Sequence, residues 1–323
     1  MKNKYSVILG NLGNTCDRFC KSYKDNPSTL EMLSQAVKIP HVEGIEFGRH
    51  MGHRPGQRQR DEKTLRRLRR TVRIDHPGRF RRQGIRERHA DQFRSGRPAK
   101  TQDYLRQMSE VALEMNCGIL NMWMAQDGYD YLLTTDYDQK REWLKRRNRP
   151  AGQRVPDAEV RAGIQAQRAA QFFVSRPHER HDPGGQRDRM SNVGVTIDTG
   201  HGFVAGENVA EAVVLAKRAG DLLFHMHFND NHGAWDDDMI VGSVHGTVYV
   251  DLIYWLKKTG YAGWLSMGPV PVPRNAVDAI AESIEWVRRF EAIVDDHFDE
   301  IDRLVKANDA VATSRFMRKA LFG

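Results

Sequence analysis

Two stretches of the chain carry carboxylate and imidazole side chains at spacings that suit a metal ion. The apolar run Val193–Asp198 (VGVTID) ends in Asp198, and His201 follows three residues later. The next apolar run ends in His225-Met-His227, where the two-residue period of a strand places both imidazoles on one face. An acidic triplet, which includes Asp236 and Asp238, comes next. Carboxylate and imidazole together suit Mn²⁺, Co²⁺, Zn²⁺ or Mg²⁺ rather than a metal that prefers thiolates.

Each of these features, taken singly, has a plainer explanation. An Asp before a turn commonly caps a helix, a histidine in a strand is commonly a hydrogen-bonded core residue, and an acidic triplet commonly faces solvent. Here they occur at consecutive strand ends, in the order D-x-x-H, H-F-N-D and D-D-D. That order favours one metal-binding pocket over three unrelated features.

A third stretch, GILNMWMAQDGYD at residues 118–130, combines aromatic and polar side chains after a predicted strand. Trp123 offers an apolar face to a sugar ring, and Gln126 and Asp127 offer hydrogen-bonding groups to its hydroxyls. We therefore expect these three residues to bind a sugar. An ordinary packed tryptophan is the alternative for Trp123.

Strands and helices alternate along the chain, which predicts a parallel sheet. Apolar runs predict strands at Tyr5–Leu9, Val42–Phe47, Gly118–Met124, Val193–Asp198, Asp221–Phe228 and Trp264–Met267. Apolar residues at helical spacing predict helices at Ser28–Lys38, Thr101–Asn116, Val209–Ala219, Tyr249–Thr259, Ala276–Val294 and Asp299–Leu321. With two more strands in the arginine-rich segments, the count of eight indicates an α/β fold, the (β/α)8 TIM barrel. A doubly wound sheet is disfavoured, since no G-x-G-x-x-G follows the first strand.

Arginine is concentrated in two segments, residues 49–98 and 146–191, which hold 26 of the 36 arginines and carry net charges of +12 and +5. The whole chain of 323 residues carries +8, so the remainder carries −9. We therefore predict one barrel domain over residues 1–323 with two atypical segments, and nucleic-acid binding is disfavoured. The segments lack a sustained apolar period, and they predict only helices at Asp61–Val72 and Asp157–Val174.

Targeting signals are not evident in the sequence. It contains no run of 18 apolar residues, which excludes a typical membrane span, and its start lacks the apolar region of a secretory signal. The three cysteines, Cys16, Cys20 and Cys117, form neither a disulfide framework nor a zinc pair. These observations predict a cytoplasmic protein with free thiols.

The motifs VGVTIDTGH, HMHFNDNHGAWDDDMIVGS and LNMWMAQDGYDY resemble the xylose-isomerase-like TIM-barrel superfamily of sugar isomerases and sugar-phosphate isomerase/epimerases. The second motif is most similar to the branch that includes bacterial L-rhamnose isomerases and related aldose–ketose isomerases. The resemblance implies an isomerase of carbohydrate metabolism with a divalent metal, Mn²⁺ first, a small sugar or sugar phosphate as substrate, and a homo-oligomer. It assigns Asp198 and His227 to catalysis and the first metal, and His201, Asp236 and Asp238 to the second metal.

The sequence departs from that family at two metal ligands. The resemblance implies a Glu at the end of the fifth strand and an acid after Met267, where this chain has arginine-rich sequence and Gly268. We therefore expect the barrel to be damaged at strands 3 and 5. We also expect a weakly active or inactive enzyme, since two ligands hold a cation weakly.

Shifted reading frames in the gene explain both departures. MGPVPVPR can be back-translated so that the loss of one base yields MDQYPYR, which resembles the family pattern. Read one base later, a back-translation of PDAEVRAGIQA yields PTLKFALEYKP, which supplies the missing Glu. We expect the coding DNA of residues 49–97 and 146–189 to contain family-like peptides in another frame. If neither alternative frame contains one, this explanation is excluded.

Two other functions remain open at the level of sequence. An abasic-site endonuclease of the same superfamily would use a metal cluster and bind phosphates through the arginine-rich segments, and tight, salt-dependent DNA binding would reveal it. A vestigial, non-catalytic barrel would be nicked quickly by proteases within residues 49–97 and 146–189 and spared within 193–296.

Overall fold

Parallel strands close into a barrel in the computed structural model. The structure describes residues 3–13, 27–47, 117–121, 194–270 and 275–323, the backbone of 69–75, 122–123, 161–165 and 193, and the single residues 109, 110, 112, 136 and 138. Each strand pairs with the next along the chain, and the last pairs with the first, which completes the ring.

The ring contains eight strands, as the sequence predicts. They are β1 (Lys4–Ile8), β2 (Val42–Phe47), β3 (Arg69–Asp75), β4 (Ile119–Trp123), β5 (Arg161–Gln165), β6 (Val193–Asp198), β7 (Leu223–Phe228) and β8 (Trp264–Met267). The six strands predicted from apolar runs agree with these bounds to within two residues. The (β/α)8 barrel is therefore confirmed.

Two of the strands, β3 and β5, lie inside the arginine-rich segments. The helices predicted at Asp61–Val72 and Asp157–Val174 are wrong where these strands overlap them. Both strands pair on each side with a neighbour, and those backbone hydrogen bonds outweigh a weak local preference for helix. The backbone ring is closed, while the damage expected at strands 3 and 5 stays a prediction.

The described helices are α1 (Thr29–Ala36), α2 (Thr199–Val204), α3 (Val209–Arg218), α4 (Gly246–Thr259), α5 (Ala276–Asp296), α6 (Phe298–Ala307) and α7 (Ala310–Phe322). Ser28 caps α1 through a reciprocal pair of hydrogen bonds with Glu31. The single helix predicted at Asp299–Leu321 is wrong. Asn308 ends α6 in a left-handed conformation with φ 52°, and the Asp309 side chain caps the amides at the start of α7.

The apolar core lies between the barrel and its helices. One of its buried tyrosines also fixes the start of the loop after β7. Phe228, Tyr249 and Phe290 are fully buried, and the rings of Tyr249 and Phe290 stack with centroids 5.7 Å apart. The Tyr249 hydroxyl donates to the Asn229 carbonyl oxygen at 2.5 Å. This hydrogen bond joins α4 to Asn229, the first residue after β7. Within the described part of the chain, no helix is both long and apolar enough to cross a membrane.

Candidate metal centre

The ends of β6 and β7 bring two of the predicted metal ligands together. Asp198 and His227 are partners in the register of the two strands, and His227 Nδ1 lies 3.3 Å from Asp198 Oδ2. The side chains are only 5% and 1% exposed. The other oxygen, Asp198 Oδ1, accepts hydrogen bonds from the His201 amide at 3.2 Å and from Asn229 Nδ2 at 3.0 Å. Asp198 is thus fixed by one oxygen and faces the imidazole with the other.

Gly200 permits this arrangement because it has no side chain. A Cβ at this position would lie 1.8 Å from Asn229 Oδ1, far inside van der Waals contact. Any other residue would displace Asn229 from Asp198. The glycine of the D-T-G-H motif is therefore needed so that Asn229 can donate its hydrogen bond to Asp198.

His201 lies between two carboxylates. Its Nε2 is 3.1 Å from Asp236 Oδ2, and its Nδ1 is 3.9 Å from Asp198 Oδ2. The imidazole and the Asp236 side chain are 5% and 8% exposed. The structure therefore brings Asp198, His201, His227 and Asp236 together in one buried cluster.

The loop after β7 carries Asp236 and is tied to the barrel at its base. Asp230 and Met239 exchange backbone hydrogen bonds of 3.0 and 2.7 Å. Asp238 is partly buried on the same loop with a left-handed φ of 48°, and its carbonyl oxygen accepts the Val270 amide at 2.8 Å. Asp238 thus lies two residues beyond the cluster, on a loop that also contacts the segment after β8.

Below these residues, the interior of the barrel contains a buried glutamate with several hydrogen-bond donors around it. Glu46 Oε2 lies 2.9 Å from His227 Nε2 and 3.2 Å from His225 Nε2, and it accepts Ser266 Oγ at 3.2 Å. Glu46 Oε1 accepts Asn121 Nδ2 at 3.2 Å. The predicted placement of His225 and His227 on one face is confirmed by their shared contact with Glu46.

The electrostatics of the cluster favour ionised carboxylates. Burial alone would raise the pKa of Glu46, but the imidazoles of His227 and His225 hold it well below its ordinary value. Asp198 behaves in the same way, since His201 and His227 outweigh its burial and lower its pKa. Burial would lower the pKa of His227, but Glu46 and Asp198 raise it to about 9. Glu46 and Asp198 are therefore ionised, and their negative charge favours a proton or a cation at His227.

A cation can be held here on geometric grounds. One ligand atom from each of Glu46, His225 and His227 lies within 4.8 Å of the others, and all three residues are buried. Carboxylate oxygen and imidazole nitrogen are ligands for Mn²⁺, Co²⁺, Zn²⁺ and Mg²⁺.

The predicted sugar-binding residues are only partly within the described structure. Trp123 is the last residue of β4, and its backbone is in register with Asp75 of β3 and Gln165 of β5. Its side chain, together with Gln126 and Asp127, lies outside the described residues. Contact of these three residues with a sugar stays a prediction.

Sequence reasoning missed Glu46. The available signal was one acidic residue between Ile45 and Phe47 at the end of a buried strand, an unusual place for a charge. Its hydrogen-bond donors come from β4, β7 and β8, and these strands lie far apart in the chain. Only the closed barrel brings them to Glu46.

The fold and this cluster define the class of protein: an α/β barrel with buried carboxylates and imidazoles at the carboxyl ends of its strands. A model of the family described as the xylose isomerase-like TIM barrel matches residues 90–290, and the chain belongs to that family. A curated relative, the uncharacterized protein MJ1311 of Methanocaldococcus jannaschii, is 31% identical over 114 residues, which are 35% of this chain and 36% of that protein. The match thus spans about a third of that relative's length.

Solved structures of sugar epimerases share the fold. A D-tagatose 3-epimerase-like protein superposes with a TM-score of 0.68 and 17% identity, over 91% of this chain and 99% of its own. An L-ribulose 3-epimerase gives 0.65 and 11%, over 93% and 98%. The D-allulose 3-epimerase from Methylomonas sp. gives 0.65 and 13%, over 90% and 98%. At these identities the similarity shows the fold.

Proposed function

We propose that this chain is a sugar isomerase of the aldose–ketose type that depends on a divalent metal and is weakly active. The single observation that carries the proposal is the buried pair of Asp198 Oδ2 and His227 Nδ1, which face each other at 3.3 Å at the strand ends. In a (β/α)8 barrel this end of the strands is where active sites lie. The family and the epimerase structures above support a carbohydrate substrate.

The donor set fits a divalent metal. Asp198 and His227 would hold the first ion, and His201, Asp236 and Asp238 would hold a second. We expect Mn²⁺ first, with Co²⁺, Zn²⁺ or Mg²⁺ as alternatives, because the donors are carboxylates and imidazoles without a thiolate. When bound, the ion supplies Lewis-acid polarisation of the carbonyl and hydroxyl oxygens of the sugar.

The residues of the chain have separate tasks in this proposal. Asn229 and the His201 amide hold Asp198 in place through its Oδ1 atom. Trp123, Gln126 and Asp127 would orient a small sugar or sugar phosphate. Weak activity follows because Gly268 stands where the family resemblance implies an acidic ligand. A cytoplasmic location and a homo-oligomer belong to the same proposal.

Metal titration of the full chain tests this function. We expect calorimetry with Mn²⁺ on metal-stripped protein to show binding that Asp198→Asn weakens at least about tenfold, a loss of ~1.4 kcal/mol. The control is Asp221→Asn, which removes an exposed carboxylate that pairs with Lys217 and should leave Mn²⁺ affinity unchanged.

Turnover is measured with Mn²⁺ on a panel of aldoses and ketohexoses. We expect slow conversion that is lost in Asp198→Asn. Turnover as fast as that of an intact epimerase would refute the weak activity. Absence of Mn²⁺ binding to the unaltered chain would refute the metal centre and favour a non-catalytic barrel.

A further inference from the structure

We propose that Glu46 is a positioning residue, which holds the His227 imidazole by its Nε2 atom and so leaves Nδ1 for the metal. The inference rests on the metal centre proposed above. It adds a residue from β2, three strands away from β7 around the barrel, that does not touch the ion.

The first step concerns the direction of the hydrogen bonds around Glu46. Its side chain is fully buried, and an ionised carboxylate only accepts hydrogen bonds. His227 Nε2 at 2.9 Å and His225 Nε2 at 3.2 Å must therefore both carry a proton. Ser266 supplies a third donor to the same oxygen. Glu46 thus accepts three hydrogen bonds on Oε2 alone.

The second step concerns the other nitrogen of His227. With the proton on Nε2, the Nδ1 atom of a neutral ring presents its lone pair, and this lone pair faces Asp198 Oδ2 at 3.3 Å. Two lone pairs at this distance repel each other unless a proton or a metal ion lies between them. A metal-binding histidine commonly donates its second N–H to a carboxylate, which fixes the tautomer and the ring orientation. Glu46 has the geometry of that carboxylate.

A competing arrangement uses the same residues as ligands. Glu46, His225 and His227 are close enough to surround an ion directly. That site would require both Nε2 atoms to lose their protons, and Ser266 Oγ would have to leave Glu46 Oε2. The three donors inferred here instead occupy both lone pairs of Oε2, which leaves this oxygen no free lone pair for an ion. The two arrangements make different predictions for metal binding.

The first experiment measures Mn²⁺ affinity by calorimetry on the metal-stripped full chain. Glu46→Gln keeps the size of the side chain but removes the charge and one acceptor, and we expect a loss of about ten- to a hundredfold in affinity. The control is Ser266→Ala, which removes one hydrogen bond to the same oxygen and should have a much smaller effect. Thermal melts report whether each variant is folded.

The comparison with Asp198→Asn separates the two arrangements. If Glu46 is a positioning residue, Asp198→Asn weakens binding at least as much as Glu46→Gln. If Glu46→Gln abolishes binding and Asp198→Asn has no effect, the ion lies between Glu46, His225 and His227, and the inference is overturned. Equal affinities in Glu46→Gln and the unaltered chain would also overturn it.

The second experiment needs no substitution, so a variant that fails to fold does not weaken the test. In ¹⁵N-histidine-labelled, metal-free protein, we expect the His227 Nε2 proton to exchange slowly with water and to resonate downfield. A fast-exchanging proton would contradict the role of Glu46. If the unaltered chain binds no Mn²⁺, the metal function fails, while this proton still decides whether Glu46 holds the ring.

Discussion

Gly268 occupies a position from which a longer side chain would reach the carboxylate–imidazole cluster. A Cβ there would lie 3.3 Å from Asn229 Nδ2, the group that donates to Asp198 Oδ1. The strand just before it, β8, pairs normally with β1 and β7. Because β8 is correctly paired, a displaced strand does not account for the expected weak metal binding. We attribute that expectation at position 268 to the missing carboxylate.

We predict that Gly268→Asp strengthens Mn²⁺ binding about tenfold, ~1.4 kcal/mol, because it adds an anionic ligand beside Asp198. Calorimetry on the metal-stripped variant measures the gain. Gly268→Asn adds the same volume next to Asn229 without the charge, and we expect no gain from it. Equal affinities in the two variants would show that position 268 does not face the ion.

At the scale of elements, the sequence predicts those strands whose own residues favour a strand. β6 (VGVTID) and β7 (LFHMHF) are rich in apolar residues, so the sequence predicts both strands. The contact of Asp198 with His227 depends in addition on the register between the two strands, which the sequence alone does not give. β3 (RRTVRID) and β5 (RAGIQ) lack such a run, and their places in the barrel follow from the pairing edges of β2, β4 and β6. Their bounds could not be read locally.

The fit of β5 to its position can be tested by introducing the residues of the peptide that the proposed frame shift predicts. We predict that a variant with Arg161→Ala, Ala162→Leu, Gly163→Glu and Ile164→Tyr is more stable by about 1 kcal/mol, or roughly 3 °C in Tm. The gain comes from the removal of a glycine, which strands disfavour, and from the larger apolar surface that leucine and tyrosine bring to the strand. Thermal unfolding of the two chains measures the difference.

The same variant should gain affinity for Mn²⁺. Gly163 is in register with Asn121, whose side chain contacts Glu46 in the barrel interior, so a residue at 163 faces the same side. The control carries Gly163→Gln in place of Gly163→Glu, and it should keep the gain in Tm without the gain in affinity. A lower Tm in both variants would contradict the frame-shift interpretation of this strand.

At the scale of the whole molecule, the first strand is joined to the long C-terminal helix by a polar contact. Asn3 Nδ2 and the Tyr5 hydroxyl at β1 donate to the two carboxylate oxygens of Glu291 on α5. Burial raises the pKa of Glu291, and the hydrogen bonds from Tyr5 and Asn3 reverse only part of that increase. The contact closes the fold across 288 residues of sequence, and it does so with a carboxyl group that ionises reluctantly.

We predict that this group makes stability depend on pH. The folded chain binds the Glu291 proton more tightly than the unfolded chain, so stability falls as pH rises from the ordinary value of 4.5 through the raised pKa of Glu291. Glu291→Gln should therefore gain stability relative to the unaltered chain as pH rises through this window.

Tyr5→Phe should show the opposite trend. It loses a donor worth about 1 kcal/mol, and the pKa of Glu291 rises further, so stability falls by a larger amount over a wider range of pH. Urea unfolding of the three chains at several pH values measures both effects, and parallel curves for all of them would exclude Glu291 as the cause.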